Sequence, residues 1–218
     1  MKSSYLNKIK YYWDSYYNKN ATTKKNSNFS KFVLRKLRKN KSLIDVGCGN
    51  GRDSFFFSKR KIKTLGIDIS KSVIKKNNLI VNKRRMKHLN FKRINIASNK
   101  LINQKFDYIY VRFFLHAVTH KTENKLLLFI KNIKKRNTLV FFEFRNEKDS
   151  IFKKGKNVGK NLFLFGNNHF RRKIITKKFI KTFLKQTKSK LVYKMESKTF
   201  SITRDDKPNL TRLIFKFI

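Results

Sequence analysis

The sequence predicts an α/β protein with a mostly parallel sheet and helices on both of its faces. Three observations carry that expectation. The apolar run Leu43-Ile44-Asp45-Val46 breaks into Gly47-Cys48-Gly49-Asn50-Gly51, as a buried strand does when it turns through a glycine loop into a helix. Two later apolar runs, Leu65-Gly66-Ile67-Asp68-Ile69-Ser70 and Phe106-Asp107-Tyr108-Ile109-Tyr110-Val111, each carry an acid. Helical and strand-like periods alternate over most of the chain, which is the pattern of crossover-connected parallel strands.

Taken in order, residues 4–19 are amphipathic and aromatic and read as a helix, followed by a polar linker over 20–28. Apolar residues at 29, 32, 33 and 37 have helical spacing and lead into a strand at 42–47. A helix at 51–60, a strand at 62–68, a helix at 70–82, strands at 89–95 and 106–112, a helix at 121–135 and a strand at 137–144 complete the alternating series. Residues 145–173 read as an irregular stretch, longer than most connections and punctuated by Gly155, Gly159 and Gly166; loops of that length are commonly substrate covers. A helix at 176–187 and strands at 190–203 and 210–218 close the chain, the strands joined by Arg204-Asp205-Asp206-Lys207-Pro208-Asn209. The expected division is an N-terminal helical extension on the substrate side, 1–40, and a cofactor-binding unit, 41–218, whose cover loop spans 145–175. No internal repeat is visible.

Composition constrains the partners. Lys and Arg number 56 against 12 Asp and Glu, so the formal net charge of +44 predicts attraction to polyanions. Nonspecific nucleic-acid binding at low salt follows from that charge alone. The lysines lie along every segment and form no single stripe, and abundant Lys, Asn, Ile and Phe with scarce Pro, Gly and Ala suit an AT-rich genome; that bias does not explain the shortage of acids. The single cysteine excludes an internal disulfide and a multi-cysteine metal site. No apolar run reaches the length of a membrane span and the N-terminus lacks an apolar signal core, which gives the expectation of a cytoplasmic protein.

A glycine loop after a strand, with an acid ending the next strand, cradles a nucleoside cofactor: glycines let the backbone approach the ligand, and the carboxylate accepts both ribose hydroxyls. Asp45-Val46-Gly47-Cys48-Gly49-Asn50-Gly51, Asp68 and the run 106–111 resemble the class I S-adenosylmethionine-dependent methyltransferases. A dinucleotide site would want the third glycine two residues later. Tyr12-Trp13 with Tyr16-Tyr17, Asn28 to Val33, Gly49 to Ser54, Arg112-Phe113-Phe114-Leu115-His116-Ala117, Glu143-Phe144-Arg145 and His169-Phe170-Arg171-Arg172 resemble a small-molecule branch of that superfamily, often found beside sugar-nucleotide and surface-glycan enzymes. The resemblance implies a Rossmann-like fold with a seven-stranded sheet, an antiparallel C-terminal strand, S-adenosylmethionine as cofactor, and transfer of a methyl group to an O or N atom of a small acceptor. An RNA methyltransferase is the alternative that the charge favours.

The resemblance places Asp45, Gly47, Cys48, Gly49, Asn50, Gly51 and Arg52 about the cofactor's amino-acid portion, Asp68 and Ile69 at its ribose, Asn95 and Ile96 at its adenine, and Arg112 at the end of the fourth strand. Cys48 has small-volume packing as its expected task. Asp53 and Asp107 either serve the cofactor end or simply cap helices and pair with lysines. His116 is the expected base, since a histidine titrates near neutrality; a hydrogen-bonded structural histidine is the other reading. Trp13, Phe113, Arg145, His169, Arg171 and Arg172 are the expected substrate contacts. The last three are expected to form an anion clamp, because arginine forks suit phosphate and carboxylate.

Overall fold

The computed structural model describes residues 11–17, 25–98, 102–166, 169–201 and 206–218. Seven strands form one sheet in the order β3-β2-β1-β4-β5-β10-β9, where β1 is Ser42–Val46, β2 Lys63–Asp68, β3 Leu89–Arg93, β4 Phe106–Arg112, β5 Lys134–Arg145, β9 Ser189–Ser197 and β10 Leu210–Phe217. β10 runs antiparallel to both its neighbours, and β1, β2 and β3 are mutually parallel, as are β4 and β5. This is the Rossmann-like arrangement expected, antiparallel C-terminal strand included. Among the described residues no helix is long and apolar enough to cross a membrane.

Two compact units make up the chain, Met1–Asn95 and Ile96–Ile218. In the first, helix α1 covers the described residues 11–17, the rest of the expected 4–19 helix lying outside them. Helix α2, Asn28–Leu34, starts where the Ser27 hydroxyl accepts from the Ser30 amide at 3.0 Å. Asp53 in turn receives the Ser27 amide and hydroxyl at 2.7 and 2.8 Å. Its carboxylate thus fastens α2 to the start of α3, Arg52–Ser58, and tethers the neighbouring helix without capping its own. α4, Lys71–Lys83, is capped by Ser70, whose hydroxyl accepts from the Val73 amide, and it buries Val73, Ile74 and Asn77. β3 ends at Arg93, so Asn95 lies just beyond the strand.

The second unit is built on phenylalanine. Phe142 of β5 meets Phe179 and Phe183 of α6, Thr176–Thr187, at 5.2 and 5.4 Å and Phe215 of β10 at 6.0 Å, all edge-on. Edge-to-face rings fill a core while aligning their quadrupoles favourably. α5, His120–Ile133, passes straight into β5 at Lys134, three residues before the expected start of that strand. Asn137 takes φ +65°, and Thr138 accepts the Lys135 amide and donates to the Phe106 carbonyl, both at 2.7 Å. Asp107 pairs with Lys135 at 3.1 Å, which is the surface reading of that acid.

The stretch 145–173 departs from expectation. It holds a 3-10 turn at Ser150–Lys153 and an antiparallel three-stranded sheet of β6, Lys156–Asn157, β7, Leu162–Phe165, and β8, His169–Arg172. Phe163 of β7 and Phe170 of β8 are buried, and the Phe163 ring packs at a tilt on that of Phe152 with centroids 5.2 Å apart. The register pairs Phe163 with Arg171 and Leu164 with Phe170, so the two buried rings lie on opposite faces of this small sheet, and the packing of Phe152 on one of them is what glycine punctuation had masked.

Candidate functional site

In the first unit the glycine loop is held from three directions. Gly47, Gly49 and Gly51 all have positive φ, at 74°, 51° and 72°. A Cβ on Gly51 would meet Phe91 at 2.7 Å, and one on Gly49 would overlap the Tyr17 hydroxyl. Asp45, buried on β1, accepts from the Ser54 hydroxyl at 2.6 Å and so ties strand to helix across the loop. Asn77 donates to the Gly49 carbonyl at 2.8 Å, while the Gly49 amide donates to Asp68 Oδ2 at 3.0 Å. Cys48 is buried with Phe55, Val73 and Phe91, and burial pushes its thiol well above the ordinary value, which suits packing and not thiolate chemistry.

Asp68 closes β2, and its Oδ1 accepts the Ser70 amide at 3.0 Å. Burial raises its pKa, and the Ser70 and Gly49 amides oppose that rise. Two oxygens taking one amide each keep further lone pairs for hydroxyl donors. The four acids of residues 1–95 are Asp14, Asp45, Asp53 and Asp68. Asp45, Asp53 and Asp68 bond to the loop or to its flanking helix, and Asp14 receives the Ser70 hydroxyl, with Ser72 donating to it at 3.2 Å. The cradle therefore suits a nucleoside cofactor bearing positive charge. Arg52 and Ile69 flank it, half-buried, Asn50 is half-buried in the loop, and Ile96 is buried at the start of the second unit.

The second unit gathers most of the expected substrate residues around His116. That imidazole is buried, and its Nδ1 accepts the Arg145 amide at 3.3 Å, so the neutral ring carries its proton on Nε2. Burial first, then the charges of Arg171, Arg145, Arg112 and Arg172, hold its pKa well below 6.5. This overturns the expectation of a base: the atom that would take the proton already accepts a hydrogen bond, and a cation there would face four guanidinium groups. Nε2 can donate instead. Phe113 sits edge-on to His116 at 5.4 Å with φ +55°, a strained conformation for an aromatic residue. Its amide donates to the Glu143 carbonyl, and the Arg112 guanidinium lies 4.1 Å from its ring centroid.

The arginines divide by task. Arg171 and Arg172 are successive on β8, so they point to opposite faces and cannot act side by side as a clamp. Arg172 is buried, pairs with Glu123, and donates to the carbonyls of Val118 and Leu115 at 3.0 and 3.1 Å. Its contact with His120 Nδ1 at 3.1 Å also gives that surface histidine a structural neighbour. Arg145 is fixed by Asp149, at 3.0 Å, and by Asp206. His169 faces the Gly166 carbonyl through Nδ1 at 2.8 Å and stacks on Phe165. Arg171 is left as the member of the expected clamp that is half-buried and acts most strongly on His116.

One arrangement was missing from the sequence reading. Arg112, Glu143 and Arg212 are direct cross-strand partners on β4, β5 and β10. Glu143 accepts from Arg112 Nε at 2.9 Å and Arg212 Nε at 2.8 Å, with side chains 10%, 1% and 7% exposed for Arg112, Glu143 and Arg212. Arg112, expected as a cofactor contact, is thus first of all one arm of a buried ionic row. The signal was a charge inside an otherwise apolar strand, twice, in Phe-Phe-Glu-Phe and in Leu-Thr-Arg-Leu-Ile.

The buried His116 gives a pH dependence of stability. Unfolded histidine binds a proton near pH 6.5 whereas the folded ring stays neutral, so the unfolded state gains protons first and stability falls as pH drops below about 6.5, by about 1.4 kcal/mol per unit for one such group. Thermal unfolding at pH 7.5 and 5.5 should show a larger loss in the wild type than in His116→Asn. Equal losses would place the linkage elsewhere.

A family model described as a methyltransferase domain matches residues 37–198. A search of curated proteins finds no match. Among solved structures, a 1,6-didemethyltoxoflavin-N1-methyltransferase from Burkholderia thailandensis, bound to 1,6-didemethyltoxoflavin and S-adenosylhomocysteine, superposes with a TM-score of 0.75 at 12% identity, over 100% of this chain and 90% of that one. A SAM-dependent methyltransferase from Methanosarcina mazei gives 0.71 at 18% identity over 86% and 97%, and one from Clostridium acetobutylicum gives 0.69 at 14% over 87% and 91%. The likeness to these structures is one of fold, and the family model spans most of the chain: the protein belongs to the methyltransferase domain family and is an enzyme of that kind.

Proposed function

We propose that this methyltransferase moves the methyl group of S-adenosylmethionine to a nitrogen or an acidic oxygen of a small anionic acceptor, of the sugar or sugar-nucleotide-linked glycan-precursor class. The single observation that carries the acceptor's charge is the neutral, buried His116 under the influence of Arg171, Arg145, Arg112 and Arg172. A group able to donate and unable to gain a proton, among guanidinium groups, favours a ligand that brings negative charge.

The cofactor, when bound, supplies an electrophilic methyl on a sulfonium, and the protein has to align and enclose the reactants. Asp68 offers acceptor oxygens to the ribose hydroxyls. The positive-φ glycines let the loop lie close against the amino-acid portion, and Asp45 and Asn77 keep it in that shape. The His116 Nε2–H donates to an acceptor oxygen. Arg171 supplies charge, and Phe113 supplies an apolar wall. Asn95 and Ile96 are assigned to the adenine. Because His116 does not remove a proton, the nucleophile reaches the site unprotonated, as an amine free base or an ionised oxygen.

The test is a methyl-transfer screen at physiological salt with phosphorylated and carboxylated sugars, sugar nucleotides, their neutral analogues and RNA. Turnover confined to anionic small acceptors, with a higher KM in Arg171→Ala, is the expected result. Equal turnover of neutral analogues removes the anionic class. A specific RNA methylated at that salt replaces the proposal with its alternative.

A further inference from the structure

We propose that Tyr17 is a cofactor-contacting residue and that Asp14, one helical turn before it, positions it, so that α1 forms a wall of the S-adenosylmethionine site. This rests on the cofactor assignment above. Residues three apart on a helix share a face, and Asp14 and Tyr17 use that face to reach the two residues that Asp68 also holds. Tyr17 lies against Gly49, with its Cζ 2.8 Å from where a Cβ would stand, and the Gly49 amide donates to Asp68. Asp14 receives the Ser70 hydroxyl, and the Ser70 amide donates to Asp68. Any ligand oxygen or hydroxyl that meets the Asp68 carboxylate over this loop is therefore close to the Tyr17 phenol.

Three further observations point to a ligand and not to simple packing. Among the described residues the Tyr17 hydroxyl makes no hydrogen bond, although its ring is half-buried beside the core cluster of Phe55 and Phe91. Phenols in such places ordinarily find a partner. The hydroxyl sits where a side chain at Gly49 would stand, so the glycine is what lets the phenol reach the backbone of the cofactor loop. Burial, and then the neighbouring Asp68, Cys48 and Tyr16, hold the phenol well above its usual 10, so it stays a hydrogen-bond donor throughout the working pH range. Asp14 also adds a carboxylate beside Asp68, as a cationic cofactor favours.

The chain supplies its own reporter. Trp13 is its one tryptophan, and its ring stacks on that of Tyr17 with centroids 5.9 Å apart. The experiment titrates the full-length protein with S-adenosylhomocysteine, by calorimetry and by Trp13 emission. Wild type should bind with a change in emission. Tyr17→Phe, which removes one oxygen, should bind roughly three- to tenfold more weakly, the worth of one hydrogen bond, with unaltered thermal stability in the absence of ligand. Asp14→Asn, which loosens the positioning of α1, should weaken binding and reduce the emission change. Absence of binding by wild type would sink the cofactor assignment itself. Binding by wild type with unchanged affinity in both variants and a silent Trp13 overturns the role of α1 alone.

Discussion

Replacing Glu143 by alanine should destabilise the protein by about 3–5 kcal/mol, the range seen when one member of a buried ionic group is removed. The carboxylate holds Arg112 and Arg212 from two neighbouring strands, and both side chains are at most 10% exposed. Without it two guanidinium groups face each other across β5, and the Phe113 turn loses the side chain beside its anchor. At roughly 2–4 °C per kcal/mol for a chain of this size, the midpoint should fall by about 6–20 °C. Glu143→Gln preserves shape and one acceptor, so it should fall between wild type and alanine. Denaturant unfolding checks both, and an alanine variant within about 1 kcal/mol of wild type would show that water reaches the row and solvates the arginines.

The second large effect concerns affinity. Asp68→Ala should weaken S-adenosylhomocysteine binding at least about 100-fold, because hydrogen bonds to a charged group contribute about 1.5–3 kcal/mol each and the ribose offers two hydroxyls. The loss has a structural part as well, since the same carboxylate receives the Gly49 and Ser70 amides. Asp68→Asn separates the two. It keeps one acceptor oxygen but turns an NH2 toward a donor, so it should bind better than alanine and far worse than wild type. Calorimetry giving an unchanged constant for Asp68→Ala would remove this acid from the cofactor site.

Legibility in the sequence followed the range of the interactions involved. β4 and α6 fall at the positions that apolar period and punctuation indicate, and β1, β2 and α4 lie within a residue or two of theirs, because each is decided by its own residues. The β6–β8 sheet escaped because two-residue and four-residue strands carry too little period to register, and its packing depends on Phe152 meeting Phe163 across the chain. The glycine loop and Asp68 were readable as a motif. Partners such as Asn77, Tyr17 and Glu143 were not, since nothing local says which distant residue a buried polar group will meet. The assignment of His116 as a base failed for the same reason: its residue type was legible, but the four guanidinium groups around it arrive from β4, β5 and, twice, β8. Arg171 and Arg172 looked like a pair by adjacency, and it is strand geometry that separates them.

The confinement of acids in residues 1–95 to the cofactor loop and its flanks has a kinetic consequence. A molecule of net charge +44 repels a cationic ligand at long range, and mobile ions screen that repulsion beyond about 8 Å at physiological ionic strength. The attraction exerted by Asp14, Asp45 and Asp68 acts over a few ångströms inside the cradle, where screening is weak. Added salt therefore lowers the barrier to cofactor encounter while leaving the bound state nearly untouched, so capture of the cofactor speeds up with ionic strength, opposite to the slowing usual when a ligand is steered by charge of the other sign.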